Sequence, residues 1–258
     1  MFPIAPQRTL QLNRLVPSLA PPREAMRHCR HIIAAFMAAT FGLAALPSST
    51  RSEEAGKAIY AVAYIEIVPG KAKQARRLIL DHAADARHAT GAIAIDALAR
   101  DGYPNQFALL EQWQSQKARD DYAATVSAQQ FRAALARIES AGVDERIQGP
   151  LFVESDKPAP TPPIVVMTHI DVIPPTLDQA KARIKQLVDG NRHQHANLRF
   201  DVLVQTNRAN HMTLIEGWKQ PADKDAESAA AETISFRHDL LPLSGSPYDE
   251  RIYRPLRE

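Results

Sequence analysis

Apolar and polar residues alternate along residues 58–68 and again along 164–173, and the two runs stop at Pro69-Gly70 and Pro174-Pro175. Period-two alternation followed by turn residues predicts two half-buried strands, each ended by a turn. The period then changes. Leu177, Ala180, Ile184, Leu187 and Val188 recur at helical spacing to about Arg192, behind Thr176-Leu177-Asp178-Gln179, which has the form of a capping box. The earlier copy has the weaker stripe Ala75, Leu78, Ile79, Ala83 and Ala86. Two further strands follow each helix, over 92–100 and 105–114 and over 197–205 and 210–219, joined by turns rich in Gly, Pro and Asn. Helical segments with internal breaks come next, at 115–140 and 221–241, and a last strand closes each series at 145–154 and 250–256.

The series is one module written twice. Residues 61–153 and 166–258 align without a gap at a constant offset of 105: Ile65 with Ile170, Arg87-His88 with Arg192-His193, Asn105 with Asn210 and Asp144-Glu145-Arg146-Ile147 with Asp249-Glu250-Arg251-Ile252. The order strand, helix, strand, strand, helix, strand is the ferredoxin-like split arrangement, an α+β fold with helices on one face of an antiparallel sheet. The other face of each sheet needs a cover. Residues 155–163 contain Pro158, Pro160, Pro162 and Pro163, an extended spacer long enough to let the modules face one another as one intramolecular barrel. The expected organisation is a leader (1–52), a first module (57–154), the linker and a second module (164–258).

Composition changes this picture mainly at the N-terminus. The first 52 residues carry six of the 31 basic residues and one acid, leaving 25 basic against 28 acidic side chains beyond them. No basic block interleaved with aromatics remains, so nucleic acid is set aside as a partner. Residues 26–31 form a basic n-region, 32–46 an apolar stretch too short to span a bilayer comfortably, and 47–52 a small, polar exit, together a secretory signal with Met26 as the expected start. The expected location is therefore periplasmic or secreted, with no membrane contact after cleavage. Cys29, the single cysteine, precedes the apolar stretch, so the mature chain would lack thiolate chemistry, disulfides and Cys-ligated metals. With no Gly-rich phosphate loop either, no cofactor and no metal are expected.

Pro69-Gly70-Lys71 after the first strand, Arg87 before Gly91, Leu109-Leu110-Glu111-Gln112-Trp113 and Phe131-Arg132 together resemble the antibiotic biosynthesis monooxygenase superfamily of dimeric α/β barrels. The resemblance covers residues 59–154, and the second copy keeps less of it. It implies a single-chain version of a barrel that two chains usually build, and a small aromatic ligand. It also implies that Trp113 walls the substrate pocket, and that Tyr64, Asn105, Glu111 and Trp113 stand in the family's arrangement as the catalytic set. Many relatives carry a His after the Trp strand, whereas residues 127–135 have none, which puts haem chemistry in doubt.

Strand parity refines these roles. Glu111 and Glu216 share the parity of Trp113 and Trp218, and a carboxylate buried there acts as a base or pairs with an Arg such as Arg146 or Arg251. Tyr64 and His169 occupy equivalent positions on the opposite face, and Asp96 and Asp201 lie mid-strand. Asp96, His169, Glu216 and Trp218 complete the candidate substrate-binding set. Arg87-His88 and Arg192-His193 suit helix C-termini electrostatically, and His193-x-His195 lacks a third metal ligand. These features suggest an exported, cofactor-independent monooxygenase acting on a small quinol or phenol, with the first module holding the better site. A non-catalytic periplasmic binding protein with a degenerate barrel is the alternative.

Overall fold

A computed structural model describes residues 58–154 and 160–257. The leader, and with it the signal-peptide reading, lies outside the described residues, as do linker residues 155–159. The first module runs β1 (Ile59–Glu66), α1 (Ala72–Arg87), β2 (Ala92–Arg100), β3 (Gln106–Trp113), α2 (Gln116–Ala123), α3 (Val126–Leu135) and β4 (Asp144–Phe152). The second repeats the order as β5 (Ile164–Asp171), α4 (Leu177–Arg192), β6 (Asn197–Gln205), β7 (Arg208–Trp218), α5 (Pro221–Ser228), α6 (Ala231–Leu240) and β8 (Asp249–Pro255).

The eight strands close into one barrel in the order β1-β3-β2-β8-β5-β7-β6-β4. Each module supplies four neighbouring antiparallel strands, and two seams join them: β4 pairs with β6 and β2 with β8. An edge strand of one module therefore satisfies the backbone groups of the other, and no edge is left open.

Alternation decides what lies inside. Tyr60, Val62, Tyr64, Leu98, Ala108, Leu110, Val165, Met167, Leu203, Ile215 and Tyr253 point inward and form a core shared by both modules. The opposite parity meets the helices: Ala63, Ile65, Ile67, Leu109 and Trp113 pack on Ala75, Ile79, Ala83 and Ala86 of α1. Ile170, Val172, Met212, Leu214 and Trp218 pack on Ala180, Ile184, Leu187 and Val188 of α4. Each large inward side chain contributes about 1.5–3 kcal/mol by leaving water, and that contribution exists only when the two sheets face each other.

The capping box expected at Thr176 does not form. Pro174-Pro175 drive a 3-10 turn over Pro174–Thr176, which leaves Thr176 without extended backbone, and its hydroxyl donates back to Ile173 O at 2.9 Å instead of capping α4. The helix-end arginines do more than balance a dipole. Arg87 Nε donates to Ile95 O and Arg192 Nε to Phe200 O, both at 3.0 Å, tying each helix to the strand that follows it. The described end of the linker is also anchored: a Cβ at Gly217 would lie 2.5 Å from Pro162 Cγ, so Pro162 seats only on a glycine.

Expressed apart, residues 58–154 and 160–258 are each expected to self-associate or precipitate, because each exposes its inward apolar face. Size-exclusion chromatography with light scattering checks this. A first module that stays monomeric and unfolds cooperatively would contradict it.

Candidate active site

Between the outer face of the first sheet and its helices lies a cavity of about 320 Å³. Ala63, Ile65, Leu109 and Glu111 form its floor; His82 enters from α1, Arg119, Tyr122 and Ala123 from α2, and Ala128, Phe131, Arg132 and Leu135 from α3. Glu139, Val143 and Glu145 complete the rim. The walls are largely apolar and the polar groups few, the usual constitution of a small-molecule site, at the lower end of the usual size range. Scaled from a 150 Å³ cavity that holds benzene, it has room for about two fused aromatic rings.

Polar groups converge at one end. The His82 side chain is only 8% exposed and stacks on Phe131 with ring centroids 3.9 Å apart and planes 12° from parallel. Its Nδ1 lies 3.2 Å from the Tyr122 hydroxyl and its Nε2 3.8 Å from Glu111 Oε1. Tyr122 Oη donates to Asp85 Oδ2 at 3.2 Å, and Ser127 Oγ donates to the same oxygen at 2.7 Å. Burial and then the neighbouring Asp85 push the Tyr122 phenol well above its ordinary value, so Tyr122 remains a donor. At the rim Arg119 Nη2 pairs with Glu145 Oε1 at 2.5 Å, and Arg132 Nη2 donates to Ala123 O at 2.5 Å.

The structure separates the residues singled out from sequence. Of Tyr64, Asn105, Glu111 and Trp113, Glu111 alone lines the cavity. Trp113 is fully buried behind the wall, where its indole stacks on Tyr122 at 5.3 Å and its Nε1 donates to Glu111 Oε2 at 2.9 Å. It positions Glu111 and Tyr122 and does not line the cavity. Asn105 Nδ2 donates to Ile67 O at 3.1 Å, and Asn210 does the same for Val172 O at 3.0 Å, so this pair fastens the end of the first strand in each copy. Tyr64 lies across the sheet, inside the barrel, with the guanidinium carbons of Arg146 and Arg251 5.0 and 4.9 Å from its ring.

Neither arginine reaches the glutamates. Arg146 and Arg251 have inward parity and pair with Asp144 and Asp249 of their own strands, each at 2.6 Å, whereas Glu111 and Glu216 point outward to the helices. Asp96 accepts the Thr161 hydroxyl of the linker, and Asp201 accepts Glu154 N at 3.1 Å while pairing with Arg192 and Arg199. These two aspartates fasten chain at the module boundary. His169 sits inside the barrel with Nε2 3.4 Å from His211 Nδ1, on the opposite face of the sheet from Glu216 and Trp218.

Residues 58–137 match the family model for antibiotic biosynthesis monooxygenases. The match falls within the first module and leaves the second outside it. The whole fold resembles a candidate monooxygenase from Fusobacterium nucleatum subsp. nucleatum with a TM-score of 0.69 and 14% identity, over 78% of this chain and 94% of that one. A candidate monooxygenase from Lactobacillus acidophilus gives 0.60 and 12% over 76% and 93%, and an anthrone oxidase-like protein 0.61 and 11% over 78% and 92%. At such identities the likeness is one of fold. No curated protein matches the chain.

The second copy of the module spends the same space differently. At the places of Arg119, Tyr122, Ala128, Val143 and His82 stand Lys224, Glu227, Thr233, Tyr248 and Leu187. Lys224, with its side chain 3% exposed, reaches Glu227 at 2.8 Å, Glu250 at 3.2 Å and Glu216 at 3.7 Å, and Thr233 donates to Glu227 at 2.7 Å. Arg237 closes the cluster on Glu250 at 2.8 Å. Burial pushes Glu216 well above the carboxylate range, and Lys224 only partly opposes it; Lys224 itself, lowered by burial, is held up by Glu216, Glu250 and Glu227. An ion network thus occupies what is a ligand-sized cavity in the first module.

Lys224→Met is expected to cost about 3–5 kcal/mol, because it strands buried carboxylates. The matched Arg119→Met leaves behind Glu145, whose side chain is 44% exposed to water, and should cost about 0–1 kcal/mol. Carboxylates with raised folded-state pKa bind protons on folding, so the Lys224→Met deficit should grow as pH rises above about 4.3. Urea unfolding at two pH values checks all three.

His169 carries a second pH dependence. Burial, then Arg146 and His211, pull its pKa down to about 4. The unfolded state binds the extra proton below about 6.5, so the stability from keeping His169 neutral is present above that pH and is lost as pH falls towards 4. His169→Gln is expected to flatten the wild-type loss of stability over this window; an unchanged slope would refute it.

Proposed function

We propose that the protein is an exported, cofactor-independent monooxygenase that acts on a small phenolic or quinol-like aromatic in the first module alone. The observation that carries this reading is the contrast between the copies: one fold position holds an apolar cavity with His82, Glu111 and Tyr122 at its end, the other a filled ion network. The monooxygenase family of the first module and the fold likeness to candidate monooxygenases and an anthrone oxidase-like protein support the reaction class. An ionised phenol is itself an electron donor to dioxygen, so the protein has only to bind, desolvate and orient it. In the net reaction one oxygen atom enters the ring, the other leaves as water, and the phenol, becoming a quinone, supplies the electrons. The basic and apolar segments of 26–46 support export, and a barrel without open edges supports a monomer as the working unit.

Purified protein, free of flavin and with a chelator present, is expected to consume oxygen in the presence of naphthalene-type phenols or hydroquinones. Ala123→Trp, which fills the cavity mouth from a partly exposed helix position, should reduce uptake about tenfold or more, about 1.4 kcal/mol in apparent free energy, with an unchanged unfolding midpoint. Uptake that requires added flavin, haem or metal, or that survives Ala123→Trp, would refute the proposal.

A further inference from the structure

The neighbours of His82 determine which of its nitrogens carries the hydrogen. The Tyr122 hydroxyl has one hydrogen, and two oxygens that can only accept face it, Asp85 Oδ2 at 3.2 Å and His82 O at 3.4 Å. When it donates to either of them, the Tyr122 oxygen presents a lone pair to His82 Nδ1, 3.2 Å away, and the tautomer with its hydrogen on Nδ1 is the one that matches. Nε2 of the neutral ring is left as an acceptor. It faces Glu111 Oε1 at 3.8 Å, beyond hydrogen-bond reach, while Oε2 of the same carboxylate is taken by the Trp113 indole. Nε2 and Oε1 are thus two acceptors at the end of the cavity, and a hydroxyl seated beside Nε2 supplies the one hydrogen that Nε2 can accept.

We propose that this end of the cavity is a hydroxyl socket, and that His82 Nε2 is the base that takes the proton from a phenolic hydroxyl seated in it. The inference rests on the aromatic-ligand reading above and assigns the base within it. The ligand O–H bond breaks, its electron pair stays on the ligand oxygen, and an Nε2–H bond forms. The positive charge this creates on the imidazole is stabilised by the Glu111 carboxylate nearby, and the ionised ligand is held by its own ion pair with Nε2–H. The proton has a way out. Nδ1–H passes to the Tyr122 oxygen as the Tyr122 hydrogen passes to Asp85, whose side chain is exposed to water. The charged groups around His82 are Asp85 on its own helix, Glu111 on β3, Arg119 on α2, Arg132 on α3, and Glu139 and Glu145 at the rim.

The test is a pH titration of 1-naphthol absorbance with oxygen excluded, so that binding and ionisation are read without turnover. Bound naphthol is expected to ionise more than one pH unit below the free probe, a preference of more than about tenfold for the naphtholate. His82→Gln should abolish the displacement. Tyr122→Phe keeps the imidazole but releases its tautomer, so it should reduce the displacement, which tests the relay even if His82→Gln fails to fold. Ionisation of bound naphthol at the free probe's pH, a displacement that persists in His82→Gln, or no saturable binding would each overturn the proposal. Naphtholate formation without oxygen uptake by any quinol would instead sink the monooxygenase reading and leave the socket standing.

Discussion

Everything in this molecule depends on closure of the barrel by the β4·β6 and β2·β8 seams. A ferredoxin-like sheet has helices on one face only, and here its other face carries Tyr60, Val62, Leu110, Met167 and Ile215, residues that are stable only out of water. The covalent tandem makes the partner sheet permanently available, so the core that a two-chain barrel gains by association is here intramolecular. With that core secured from inside, the outer face of each sheet is free to build a pocket against its own helices.

Duplication then allowed the two pockets to diverge on a nearly identical frame. The anchors are retained in both copies: Arg87 and Arg192 on the following strand, Asn105 and Asn210 on the first, and an indole N–H on a glutamate at 2.9 Å in each. The differences lie where these anchors point. Glu111 meets His82 and open space; Glu216 meets Lys224 and is enclosed. The Glu–Trp hydrogen bond is thus a positioning device common to both modules, and the residues opposite it decide whether the space is left as a cavity or filled by an ion network.

Repeat spacing and strand parity made the fold legible from sequence: the two-module order, the helix-facing side of β1 and β5, and the shared side of Glu111 and Trp113 all follow from the period-two pattern. The site was legible only in part. Parity separates Tyr64 from Glu111 but does not say that Trp113 stops behind Tyr122 or that Asn105 serves the backbone, since both depend on how α2 and the β2–β3 turn are seated. His82 was missed because α1 reads as a weak apolar stripe. The signal lay in comparing the copies: His82 falls on that stripe three residues beyond Ile79, where the other copy has Leu187, and Tyr122 and Arg119 face Glu227 and Lys224 in the alignment. Divergence at otherwise matched inward positions marks the site better than the shared tryptophans do.

The central claim is that the first module alone holds an aromatic ligand. Anomalous diffraction from crystals soaked in 4-bromophenol tests it most directly, because bromine locates the ring without assuming any reaction. The account expects one bromine peak between Phe131 and the sheet, with the phenol oxygen at His82 Nε2. A peak inside the barrel near Tyr64 and His169, or in the second module beside Lys224, would contradict it.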